Sequence, residues 1–138
     1  MRLNDIDPYD RRFKATLDKF APELWAHLDL IPSLPSEAQA ELLDYYVELA
    51  CDAQNVRNIT LGRQALQEVP RGWLLLHLHE SVKGMLDLDD DWHFRRLCEV
   101  LFEIDQPLLD RYVKQGLASP NDEVREAAQD FENKRESN

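Results

Sequence analysis

The chain has 138 residues, of which 43% are hydrophobic, so it is too apolar for a disordered segment and long enough to bury a core without a metal or disulfide. Its 16 Lys and Arg stand against 27 Asp and Glu, and the resulting charge of −11 repels nucleic acid and anionic membrane while attracting basic partners. Only 4 glycines are present, too few for a fold built on many tight β-hairpins.

Met1-Arg2-Leu3-Asn4-Asp5 has no apolar run behind its basic residue, so no signal peptide is expected. No run approaches the ~20 apolar residues of a membrane span, and the cytosol of the producing cell is the expected location. The whole chain, 1–138, reads as one domain. Residues 1–35 are expected to form a helical cap punctuated by Pro8, Pro22, Pro32 and Pro35. A first helix runs from Pro8 or Tyr9 to about Phe20, with Phe13, Leu17 and Phe20 on one stripe. A short second one carries Leu24, Trp25 and Leu28. Ile31 to Pro35 should stop any helix, because proline lacks the N–H and crowds the preceding turn.

Residues 36–134 form the body. Ser36 is the expected cap of a helix reaching about Asn55, with Leu42, Leu43, Tyr46, Val47 and Ala50 at helical spacing. The next starts near Asn58 or Thr60 and turns Leu61, Ala65, Leu66 and Val69 inward. Gly72 to Leu86 follows; its first half, Trp73 to Leu78, is apolar nearly all round, as in a helix buried on several sides. After the acidic turn Asp87 to Asp91, Leu97, Val100, Leu101 and Ile104 make another stripe. Pro107 suits the first turn of a helix that puts Leu109, Tyr112, Val113 and Leu117 inside and is weakened near its end by Gly116. Ser119, Pro120 and Asp122 signal the last start, followed by inward Val124, Ala127, Ala128 and Phe131. Residues 135–138 are expected to fray.

The stripes repeat. Phe94, Arg95, Leu97, Cys98 and Leu101 align with Val124, Arg125, Ala127, Ala128 and Phe131 at an offset of about 30 residues, and Leu61 to Val69 align less closely. Two helices per unit imply stacked hairpins, none of which can bury its own apolar face. Asn121-Asp122-Glu123-Val124-Arg125-Glu126-Ala127-Ala128 resembles the start of the second helix of a HEAT repeat. The resemblance implies an all-α, HEAT-like α-solenoid of about three hairpins, with Asp122 and Arg125 bracing turn to helix and Arg95 in the same role one unit earlier. Asp90 to Leu97, then Gly116-Leu117 and Val124 to Phe131, resemble the C-terminal part of immunity proteins that accompany bacterial polymorphic or contact-dependent toxins. That resemblance implies a bacterial chain that neutralises a cognate toxin.

No chemistry-bearing motif competes. There is no Gly-x-Ser-x-Gly, no phosphate-binding glycine loop and no Cys/His pairing. The acidic turn fails as an EF-hand: Trp92 stands where glycine must bend the chain and Cys98 where the bidentate glutamate belongs. His77 and His79 are not at the i, i+4 spacing of zinc helices. Cys51 and Cys98 read as small buried hydrophobes. No metal, cofactor or enzymatic activity is expected, and a HEAT-like DNA glycosylase would need a basic groove. The expected activity is binding of a basic, nuclease-type toxin domain by a monomer, without nucleic acid or membrane. Asp87, Asp89, Asp90, Asp91, Trp92, Glu99 and Glu103 are the candidate contacts. The alternative is a HEAT-like adaptor with no toxin partner; a neighbouring toxin gene discriminates.

Overall fold

The computed structural model describes residues 7–136, so the reading of Met1 to Asp5 and the end of the expected frayed tail lie outside the described residues. Everything regular in them is helical: α1 (Pro8–Asp18), two 3-10 turns (Leu24–Ala26 and Leu28–Ser33), then α2 (Ser36–Cys51), α3 (Val56–Glu68), α4 (Arg71–Met85), α5 (Asp91–Ile104), α6 (Gln106–Leu117) and α7 (Asp122–Glu136). Among the described residues no helix is long and apolar enough to cross a membrane.

Side-chain caps fix most helix starts, and several differ from expectation. The Asn55 side chain accepts from Arg57 N at 2.9 Å and Asn58 N at 3.1 Å, so α3 begins at Val56, upstream of Asn58. Asp90 does the same for α5, accepting from Trp92 N at 2.8 Å. Asp105 accepts from Leu108 N at 2.9 Å and starts α6. Asn121, not Ser119, accepts from Glu123 N at 2.9 Å. Ser119 instead accepts from Asn121 N at 3.1 Å, so Pro120 precedes α7. Ser36 is the first residue of α2 and makes no capping bond; Pro35 holds the cap position. Such caps satisfy backbone donors that have no partner within the helix.

Three ends also move. α1 stops at Asp18 rather than Phe20, with Pro22 close behind. Pro32 sits inside the second 3-10 turn, near its end, where the tighter i→i+3 pattern continues for only one further residue. α7 extends to Glu136, past the expected end of the body at 134, and the Lys134 ammonium lies over the Phe102 ring at 5.2 Å and the Phe131 ring at 5.6 Å.

One contiguous core runs from Phe13 and Leu17 of α1 through the 3-10 turns to Val124, Ala127, Ala128 and Phe131 of α7. The inward stripes of α2, α3, α5 and α7 are buried as their spacing predicts, Ile104 being half-buried. α4 is not buried on several sides. It packs on α2 through Trp73, Leu74 and Leu78, and the helical period carries Leu75 and Leu76 round to solvent, 40% and 79% exposed. In α6, Leu117 is likewise outside, and Gly116 faces the core. A Cβ there would lie 2.4 Å from Phe94 Cζ, so Gly116 admits the aromatic ring of α5 rather than merely weakening a turn.

The order of contacts shows which helices run together. Gln39 meets Trp73 and Asp44 meets Ser81, so α2 and α4 are parallel. Arg71 meets Asp105 and His79 meets Tyr112, so α4 and α6 are parallel. Arg63 and Gln67 of α3 meet Glu99 and Glu103 of α5 in the same sense. α2 packs closely against α3, and α6 against α7. The intervening pair is looser: α4 and α5 both lie on α2 and are not closely packed on each other. α5 packs on α6 and α7 as well as on α2, whereas α4 lies mainly on α2.

Candidate functional site

The acidic turn before α5 is held from several sides. Asp87 accepts from Asp89 N at 3.0 Å, and Asp87 N donates to His93 Nδ1 at 3.0 Å. His93 Nδ1 is therefore an acceptor, and Nε2 faces the Asp52 carboxylate at the end of α2, 2.7 Å away. The Asp89 carbonyl accepts from the Asn121 side-chain amide at 2.7 Å, and its carboxylate accepts from the Ser119 hydroxyl at 3.2 Å. The turn before α5 is thus bonded onto the turn before α7, and two helix N-termini open on one edge.

Carboxylates gather there. Asp91 begins α5; Asp122 and Glu123 begin α7. The Glu123 carboxyl is pushed above the ordinary carboxylate value, first by its hydrogen bond with Asp91 and then by that group's charge. The partial positive charge of each helix N-terminus offsets part of this crowding. Asp122 pairs with Arg125, which also donates from Nη1 to the Ser119 carbonyl at 2.7 Å. Arg95 reaches across from α5 to Asp130 of α7 at 3.2 Å.

Apolar surface adjoins the acids. Trp92 is 40% exposed, with the Arg96 guanidinium 4.2 Å above its ring. Arg96 also lines a groove of about 600 Å³ between α3 and α5, whose mouth carries Val56, 76% exposed. The structure therefore brings Asp87, Asp89, Asp90, Asp91 and Trp92 together at one edge. Glu99 and Glu103 lie further along α5. Glu99 pairs with Arg96 at 3.1 Å and Arg63 at 3.5 Å, while Glu103 pairs with Arg63 at 2.9 Å and is bonded by Gln67. Their charge is compensated within the molecule.

Sequence reasoning missed Glu123 and Val56 as members of this edge. The sequence carried a partial signal: the offset of about 30 residues that superposes the stripes of α5 and α7 puts Asp91 on Asn121, two residues before Glu123. Among the described residues, no group of three or more His, Cys, Asp or Glu is placed to hold a metal ion. Both cysteines are free and buried, and burial pushes each thiol up to about 12. Compared with protein-family models, curated proteins and solved structures, the chain matches none.

Proposed function

We propose that this chain is a HEAT-like stack of helical hairpins that binds and neutralises a cognate basic toxin domain, as an immunity protein does. The observation that carries the reading is the edge formed by the starts of α5 and α7, which carries Asp87, Asp89, Asp91 and Glu123 together with the half-exposed Trp92. Such an edge suits a basic protein surface: charge speeds the encounter, and a central aromatic supplies buried area once the partner has docked. For a nuclease target the carboxylates would stand in for substrate phosphates. The stacking half of the reading draws support from the cross-links between elements. From α2 onward they join residues 30 to 41 positions apart, and the ties between α2 and α4, between α4 and α6 and between α3 and α5 run with the paired helices parallel.

The test is co-expression with the toxin domain encoded beside this chain, read as growth rescue and as co-purification. Both are expected for the wild type, and both should fail for the Asp91→Lys/Glu123→Lys double variant, which caps no helix. Rescue without binding, or binding without protection, would overturn the proposal.

A further inference from the structure

A second concave surface lies between α2 and α4, away from the acidic edge. It is a cleft of about 320 Å³, within the range of small-ligand pockets. Its floor is built. Trp73 is 9% exposed, its indole N–H donates to Gln39 Oε1 at 2.7 Å, and its ring lies 5.1 Å from that of His77. Gln39 is fixed in turn, donating to the Leu34 carbonyl at 2.7 Å. Two carboxylates enter the cleft. Asp44 accepts from the buried Ser81 hydroxyl at 2.7 Å, and the exposed Glu80 has neither hydrogen bond nor ion pair among the described residues. Neither lysine nor arginine lines the cleft.

We propose that this cleft takes a guanidinium group, presented as an arginine side chain by the basic partner inferred above, on which this assignment of a source rests. A guanidinium is flat, always charged and weakly hydrated, so it can lie against an aromatic wall while its N–H groups reach carboxylates. Trp73 and His77 form that wall; Asp44 and Glu80 are the acceptors. The cleft has the features an arginine requires, and among the described residues no cation lines it.

The test needs no toxin, so its outcome is independent of whether the partner is one. Acetyl-arginine-amide is titrated into the ¹⁵N-labelled full chain, with acetyl-citrulline-amide, its uncharged isostere, as the control. Saturable millimolar shifts are expected at the Trp73 indole N–H and along α2 and α4, and none with the citrulline compound. Glu80→Gln, which breaks no bond, should weaken binding roughly threefold, as expected for an exposed charge pair. Glu80→Gln/Asp44→Asn should abolish it. The proposal is overturned if both probes shift the same signals, if the shifts spread evenly over the acidic surface, or if Glu80→Gln binds arginine as the wild type does.

Discussion

At the scale of single residues, the glycines divide sharply. A Cβ at Gly116 would meet the Phe94 ring at 2.4 Å and Ala128 Cβ at 3.0 Å, whereas one at Gly84 meets nothing within 4 Å. Gly116→Ala should therefore cost about 2 kcal/mol through overpacking, and Gly84→Ala should gain up to about 1 kcal/mol by restricting the unfolded chain. Urea unfolding of both variants checks this, and equal effects would contradict the packing described. The thiols offer a second check. With burial holding Cys51 and Cys98 at about 12, neither should react with a thiol reagent at pH 8 until the chain unfolds. The Asp91–Glu123 contact offers a third. A carboxyl whose folded value is raised detracts from stability at neutral pH, and the deficit disappears as pH falls through that value to below the ordinary range near about 4.3. Glu123→Gln should be more stable than the wild type at pH 7 and indistinguishable from it at pH 3.

At the scale of elements, ionic ties join helices distant in sequence. Asp10 of α1 is 5% exposed and accepts from Arg57 Nε of α3 at 2.9 Å, fastening the N-terminal segment to the body. Arg57→Met leaves that carboxylate buried without its cation and should cost about 2 kcal/mol, much of it recovered in Asp10→Asn/Arg57→Met. Asp105 has the opposite titration sign to Glu123. Its bond with Arg71 of α4, and then the cap bond from Leu108 N, hold its carboxyl below the ordinary value. The stability it lends is complete above about pH 4 and is lost as pH falls through the lowered folded value. The helices themselves were legible, because apolar residues at three- and four-residue spacing fix which stretches coil and which face turns inward. Their starts were less so. Asn55 lies three residues before an equally plausible Asn58, and only the folded backbone shows which side chain reaches two N–H groups. The leucine run of α4 misled for a related reason: composition marks Leu75 and Leu76 as core, but α2 covers only one face of the helix. The acidic turn could be read because Asp87 to Trp92 are contiguous. Glu123 and Val56 lie towards that edge only because α3, α5 and α7 run parallel, which no local pattern encodes.

At the scale of the whole molecule, two properties coexist. A single core links α1 to α7, so the chain should unfold in one cooperative transition despite its repeating cross-links. The charge of −11 is unevenly compensated: Glu99 and Glu103 are bonded by arginines on the α3–α5 side, while the acids at the starts of α5 and α7 crowd one another. That imbalance leaves negative charge at the edge available to a cationic surface. The most direct measurement is the association rate with the basic toxin domain proposed as the partner, followed against salt for the wild type and for Asp91→Lys/Glu123→Lys. Steering by this edge requires the wild-type rate to fall steeply with salt, and the double variant to associate at least about tenfold more slowly with a flatter salt dependence. Equal rates and equal salt slopes in the two proteins would contradict it.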